Sequence, residues 1–235
     1  MNTPVYKRVL LKLSGEAISA GDRGIIDHEY LDKIIAVIKR CMDAGVQFGI
    51  VVGAGNIWRG RQGGSMEQTR ADHMGMLATT INALAIQDAF DRADIEARVM
   101  TAVPIEAFAE LYSRNRAVSH MEKGRPVIFG CGMGNPFFST DTAAVLRGAE
   151  IAADVVLMAK NIDAIYTADP RKDPDAKKLD SISYDYILEN HLTAIDTCAA
   201  SFAMDNHLRL HIFGLDDPEN IYKVIMGEKF GTIVQ

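Results

Sequence analysis

Three segments of this 235-residue chain place phosphate-handling residue types directly behind short apolar runs. Val5 to Leu13 ends in Lys12-Leu13-Ser14-Gly15-Glu16, and Val46 to Val52 runs into Gly53-Ala54-Gly55-Asn56-Ile57-Trp58-Arg59-Gly60. Pro126 to Phe129 runs into Gly130-Cys131-Gly132-Met133-Gly134-Asn135-Pro136-Phe137-Phe138-Ser139-Thr140-Asp141-Thr142. A lysine at a strand end, followed by Ser-Gly, aims an ammonium group and backbone donors at one phosphate tail. Arg59 offers a planar cation suited to paired hydrogen bonds with phosphate oxygens. Gly130, Gly132 and Gly134 let backbone amides approach a ligand that Cβ atoms would keep away. Ser139, Thr140 or Asp141 caps the next helix, whose free N–H groups and dipole favour an anion.

Ligands of open α/β sheets collect at the carboxyl ends of strands. Two glycine loops with Lys12 and Arg59 therefore predict two phosphate-bearing ligands face to face, and the economical reaction between them is phosphoryl transfer. If the acceptor is itself a phosphate, its oxygen is largely ionised at neutral pH, because its second pKa is about 6. No strong general base is then required, and none stands in these loops. The main obstacle is the approach of two polyanions, which Lys, Arg, backbone amides, a helix dipole and Mg²⁺ offset.

The rest of the chain reads as the scaffold for these loops. Asp27 caps a helix whose apolar residues Leu31, Ile34, Ile35, Ile38 and Met42 share one face, and Gly45 ends it. Residues 62–69 read as a polar surface loop. A long helix over residues 70–93 carries Asp72 and His73 in its first turn. A strand over 95–101 and a short helix over 105–112 precede the Gly130 cradle, and a helix over 143–153 and a strand over 154–159 follow it. Residues 160–174 form a turn-rich segment with two Asp-Pro steps, in which Tyr166 and nearby acids are placed to hold an adenine and a ribose. Helices over 184–190 and 196–206, a strand over 209–213, a helix opening at Pro218 and a strand over 231–234 complete the series. Such alternation predicts an α/β fold with a mainly parallel sheet covered on both faces. No linker interrupts it, so one domain over 1–235 is expected, with two lobes meeting near the cradle as the alternative.

Composition removes other classes. Hydrophobic residues make up 48% and charged residues 24%, an ordinary globular balance. No apolar run reaches the length of a membrane span, and the first residues lack the layout of a signal peptide. Cys41, Cys131 and Cys198 are scattered and odd in number, as expected in a reducing cytoplasm. Net charge is −6, which disfavours a general nucleic-acid surface. No Walker loop occurs, and Trp58 stands where a dinucleotide fingerprint needs its third glycine.

Six blocks in order carry a resemblance: Lys12 to Glu16, Gly53 to Gly60, Asp72-His-Met-Gly-Met-Leu-Ala-Thr79, Gly134-Asn-Pro-Phe-Phe-Ser-Thr-Asp141, Tyr166-Thr-Ala-Asp-Pro170 and Val224-Ile-Met-Gly-Glu-Lys229. The chain resembles the bacterial uridylate kinases of the amino acid kinase superfamily over almost its whole length. The glycine loops alone would be shared with acetylglutamate and aspartate kinases, whereas the Asp72 and Gly134 blocks are specific to the uridylate enzymes. The resemblance implies a three-layer α/β/α sandwich, transfer from Mg-ATP to UMP giving UDP, and a place in pyrimidine nucleotide synthesis. It also implies a cytoplasmic homohexamer, activated by GTP and inhibited by UTP, without nucleic acid or membrane partners.

On that resemblance Lys12, Leu13, Ser14 and Gly15 hold the ATP phosphates, with Lys12 stabilising the moving phosphoryl group. Gly55 and Arg59 line the phosphate region between the substrates. Lys160 or Asn161, with Tyr166 and Asp169, lies on the adenosine side. Ala54 touches UMP through its backbone and Asp72 holds the UMP ribose. Met133, Gly134, Asn135, Pro136, Phe137, Phe138, Ser139 and Thr140 wrap uracil and the UMP phosphate. Asp141 organises the lysine and the metal, and no residue is assigned as a direct metal ligand. Ala54 replaces the middle glycine of the family's usual run, which a backbone contact survives if φ stays negative. Met133 replaces a common threonine. Two rival readings share the fold: an acyl-phosphate kinase acting on an amino-acid carboxylate, and a non-catalytic nucleotide- or oxyanion-binding protein.

Overall fold

The computed structural model describes residues 3–58, 64–168, 173 and 175–235. In chain order the strands and helices are β1 (Arg8–Leu13), α1 (His28–Asp43), β2 (Gln47–Val52), α2 (Gln68–Arg92), β3 (Arg98–Thr101), β4 (Glu110–Leu111), α3 (Arg114–Glu122) and β5 (Val127–Gly130). Then come α4 (Thr140–Glu150), β6 (Val155–Lys160), β7 (Ile165–Tyr166), β8 (Lys178–Leu179), β9 (Ser181–Ile182), α5 (Tyr184–Glu189), α6 (Thr197–Asp205), β10 (Leu210–Gly214), α7 (Glu219–Ile225) and β11 (Thr232–Val234). Nine strands form one sheet in the order β4-β3-β5-β2-β1-β6-β10-β11-β9. Its neighbours run parallel except β10 and β11. β7 and β8 pair separately as an antiparallel ribbon.

The period of two along each strand divides the interior into two layers. Val9, Leu11 and Leu13 of β1, with Val155, Leu157 and Ala159 of β6, pack against α1, α7 and the second half of α2. Leu10 of β1, with Val156 and Met158 of β6, packs against α3, α4, α5 and α6. This is a three-layer α/β/α sandwich. Among the described residues no helix is long and apolar enough to cross a membrane.

Local signals set several boundaries. The Asp27 carboxylate accepts from Tyr30 N at 2.9 Å and caps α1, a contact worth about 1 kcal/mol. Gly45 leaves that helix at φ +92°, the left-handed conformation that glycine adopts without strain. Three departures from expectation follow. No helix spans residues 105–112: turns there lead into β4, whose Glu110 and Leu111 pair with Met100 and Thr101. Ile105, Phe108 and Leu111 imitate helical spacing, yet Phe108 and Leu111 are exposed, so that stripe covers no core. Conversely, α3 stands where the apolar pattern predicts no helix, because only Ala117 and Met121 of its nine residues are buried. The long helix also begins at Gln68, inside the segment read as loop, with the Glu67 side chain accepting from Thr69 N and Arg70 N.

Candidate active site

Strand parity and a helix cap build the centre of the site. Lys12 lies two residues beyond Leu10, and Lys160 two beyond Met158, so both point into the α4 layer. In the β1–β6 register Lys12 faces Met158, which places Lys160 one pleat further along the neighbouring strand. Ser139 Oγ accepts from Thr142 N at 3.1 Å and caps α4, which puts Asp141 in its first turn. There the Asp141 carboxylate meets both lysines, Lys12 Nζ at 3.1 Å from Oδ1 and Lys160 Nζ at 2.6 Å from Oδ2. Lys160 also donates to the Ala194 carbonyl.

Burial pushes the Asp141 carboxyl up, but Lys12 and Lys160 outweigh it and hold the group below its ordinary value of 3.8. Burial presses the Lys160 ammonium down from 10.5, and Asp141 pulls it the other way. The two directions disagree about how well the pair is ionised. The Asp141 direction governs, because a carboxylate contacted by two ammonium groups has the stronger reason to stay charged. Two ammonium groups converge on one carboxylate, with Asp196 adding a further attraction on Lys160, and both can serve an incoming phosphoryl group.

The first two glycine loops lie back to back. Gly53 N donates to Leu13 O at 2.9 Å. A Cβ on Gly15 would meet Asn56 Oδ1 at 2.6 Å and Gly53 O and Gly55 N at 2.7 Å, so only glycine allows this approach. Asn56 and the fully buried Asn82 exchange amide hydrogen bonds of 2.9 and 2.8 Å, and Asn82 Nδ2 donates to Gly53 O at 2.7 Å. Helix α2 thereby pins the second loop through Asn82. Ala54 keeps a negative φ.

Helix α2 also holds the cradle after β5. Cys131 N donates to Thr79 Oγ1 at 3.0 Å, and Phe137 N donates to Asp72 Oδ2 at 2.8 Å. Between and around these points Ala54, Trp58, Asp72, Thr79, Met133 and Thr140 line a pocket of about 290 Å³. A second cleft of about 830 Å³ opens beyond Lys160, lined among others by Asn161, Asp163, Tyr166, Ala194 and Asp216. Asp141 joins the two, since it follows Thr140 of the pocket and binds Lys160 of the cleft.

A sequence profile of the amino acid kinase family matches residues 7–214. The chain belongs to the amino acid kinase family. The UMP kinase of Bacillus anthracis is 36% identical, with 98% of this chain and 96% of that one covered and a TM-score of 0.94. The UMP kinase of Ureaplasma parvum is 32% identical, covering 97% and 98% of the two chains at a TM-score of 0.93. The uridylate kinase of Archaeoglobus fulgidus is 26% identical over 97% and 99%, at a TM-score of 0.74.

In this amino acid kinase family chain the expected site residues separate into distinct places. Lys12, Asp141 and Lys160 form one cluster, whereas the sequence left Lys160 and Asn161 as alternatives on the adenosine side. Asn161 also lines the large cleft and donates to Glu16 Oε2 at 3.0 Å. Tyr166 lies there too, its hydroxyl donating to the Asp163 carboxylate at 3.0 Å, which raises its pKa. Ala54, Gly55, Asp72, Met133, Asn135, Phe138, Ser139 and Thr140 surround the small pocket. Gly55 therefore sits on the side of Ala54 and away from Tyr166. Gly134, Pro136 and Phe137 do not line it, and Phe137 is 71% exposed. Leu13 is buried and contributes only its backbone. Arg59 and Asp169 lie outside the described residues.

Trp58, Gly75, Met76, Thr79 and Gly132 line the small pocket without having been assigned a role from the motifs. Helical spacing carries a signal for three of them, because Gly75, Met76 and Thr79 follow Asp72 at i+3, i+4 and i+7 on one face. Asp196 had no such signal beyond its place at the start of the helix read over 196–206. Its carboxylate accepts from Ser139 Oγ, from Thr142 Oγ1 at 3.1 Å and from Ala199 N at 2.9 Å, tying α4 to α6.

Proposed function

We infer that the protein is a UMP kinase, a phosphotransferase that moves the γ-phosphoryl group of ATP to UMP and gives UDP and ADP. The observation that carries this reading is the Lys12–Asp141–Lys160 cluster between a small pocket and a larger cleft. UMP fits the small pocket, with Asp72 facing its ribose, Ala54 offering a backbone contact, and residues 133–140 around uracil and phosphate. ATP fits the large cleft, with Asn161 and Tyr166 on the adenosine side and Lys12, Ser14 and Gly15 toward its phosphates; the roles of Asp169 and Arg59 rest on the resemblance alone. An oxygen of the UMP phosphate forms a bond to the γ-phosphorus while the bond from that phosphorus to the β–γ bridging oxygen breaks, leaving ADP. Lys12 and Lys160 offset the charge that spreads over the moving group, and Asp141 keeps both ammonium groups aimed there.

Each Asp141 oxygen already faces a lysine, and no group of three or more His, Cys, Asp or Glu side chains gathers as a metal site among the described residues. Such a site fits a Mg²⁺ ion that arrives on the nucleotide, where it would offset phosphate charge. The remaining parts of the proposal are a single domain over 1–235, a cytoplasmic setting in pyrimidine nucleotide synthesis, a homohexamer, activation by GTP and inhibition by UTP. Met74, Leu77 and Ile81 support the oligomer, because they form an exposed apolar stripe on α2 whose other side is already buried in the core.

Product formation with Mg-ATP and a panel of UMP, CMP, dUMP, aspartate and N-acetylglutamate tests the activity. UDP from UMP is the expected result. Phosphorylation of a carboxylate instead would overturn the acceptor, and nucleotide binding without turnover would favour the binding-protein reading.

A further inference from the structure

The cradle after β5 contains two non-glycine residues in the left-handed region, Cys131 at φ +62° and Phe137 at φ +71°. A side chain in that conformation is sterically disfavoured, so it persists where neighbours hold it. Both residues are held in the same way, through the backbone N–H, by a side chain of α2. Thr79 Oγ1 accepts from Cys131 N at 3.0 Å, and Asp72 Oδ2 accepts from Phe137 N at 2.8 Å. Asp72 and Thr79 are two helical turns apart on one face, so a single rigid element spans the loop from entry to exit.

The entry is the more tightly built end. Cys131 and Thr79 are buried. The Thr79 hydroxyl donates its own proton to Met76 O at 2.7 Å, which leaves its lone pair directed at Cys131 N. Thr80 Oγ1 lies 3.2 Å from Cys131 Sγ. A Cβ on Gly130 would approach Thr80 Oγ1 to 3.1 Å, so strand and helix stand close here. Beyond Cys131 the chain remains left-handed at Gly132, φ +56°, and closes a turn through Gly134 N to Cys131 O at 2.9 Å. Gly132 and Met133, the residues this turn places, line the small pocket.

We propose that Thr79 is a positioning residue for the phosphoryl acceptor: its hydroxyl holds the Cys131 N–H and keeps Cys131 in the left-handed conformation that sets the wall of the small pocket. Without that acceptor, Cys131 relaxes toward an unstrained backbone, and only a minor share of molecules presents the wall that acceptor binding needs. The kinetic part of the proposal rests on reading the small pocket as the UMP site.

The test is a rescue series. Thr79→Val removes the hydroxyl at nearly constant volume and is expected to raise KM for UMP about tenfold, the share expected when a non-glycine residue must return to the left-handed region. KM for ATP should stay within about twofold. Thr79→Ser keeps the oxygen and should behave as wild type. Cys131→Gly added to Thr79→Val should bring KM for UMP back to within about threefold, because glycine enters this region freely, whereas Cys131→Ala should not. Thr79→Ala serves in place of Thr79→Val if the latter does not fold. An unchanged KM for UMP, equal rises for both substrates, or equal effects of Gly and Ala at position 131 would overturn the proposal. Amide hydrogen exchange over residues 127–139 reads the clamp without any substrate. Faster exchange in Thr79→Val with wild-type exchange in Thr79→Ser supports it, and unchanged exchange defeats it. If the wild type failed to phosphorylate UMP while the exchange shifted as expected, the acceptor assignment would fall and the clamp would stand.

Discussion

The two ligand spaces beside Asp141 are built by different means. The small pocket is framed from behind by one long helix: Asn82, Thr79 and Asp72 of α2 each reach across to a backbone group of a glycine loop or of the cradle. Those contacts span 29 to 65 residues of sequence, and the two nearest the sheet are buried. The large cleft is lined mostly by the turns after β6 and β10. The side chains it offers on the turn after β6 are held by exposed contacts, Tyr166 by Asp163 three residues away and Asn161 by Glu16 of the loop after β1. A loop tied by buried bonds to a core helix presents a fixed shape, while side chains held by exposed bonds between loops present groups whose geometry solvent contests. On the proposed assignment of the two spaces, the difference predicts discrimination on the acceptor side and tolerance on the donor side.

The largest expected effect is the one that ignores this division. Asp141→Asn removes the charge shared by both lysines and should lower kcat at least about a hundredfold with UMP and ATP both saturating, while circular dichroism reports an intact fold. Wild-type turnover would remove Asp141 from the machinery. The sign of its titration is consistent with a constant charge at working pH. A carboxyl held below 3.8 adds stability that is present above that value and is lost as pH falls through the lower folded-state pKa. Next is Gly15→Ala, whose Cβ would meet three atoms of the second loop at 2.6–2.7 Å. Parting these loops should lower kcat/KM for both substrates by about tenfold to a hundredfold. A loss confined to one substrate would show that the loops act separately.

Smaller changes sharpen the contrast. Asp72→Ala frees Phe137 N and should raise KM for UMP about tenfold with KM for ATP nearly unchanged. Tyr166→Phe removes only an exposed hydrogen bond and should shift KM for ATP by less than about threefold. A larger effect of Tyr166→Phe than of Asp72→Ala would invert the comparison.

Much of this was legible in the sequence because it is local. The strand ends, the Asp27 cap, the glycine breaks and a cap among Ser139 to Asp141 follow from residues within a few positions of one another. What stayed hidden depended on distance or on weak amphipathy. Only its ends mark α3, Ser113 before it and Gly124 after it, since arginines and polar groups fill most of its surface. Nothing near β9 announces a two-residue strand, because its partner is β11, some fifty residues later. The link from Lys160 to Asp141 was half visible: alternation along β1 and β6 assigns both lysines to one layer, but only the packing of α4 onto that layer brings the acid between them. Lys160 therefore read as a contact for the donor nucleotide when it also completes the cluster.

That alternation bears on how the chain can change over time. Lys12 shares a face with Leu10, while Val9 shares the opposite face with Leu11 and Leu13. Substitutions alter one position and leave the layers as they are. A single-residue insertion or deletion in the first half of β1 would exchange them, sending the lysine toward the apolar layer of α1 and a leucine toward Asp141. Length changes are therefore confined to the stretches between strands and helices, and the spacing of β1 is held by its chemistry as firmly as by its packing.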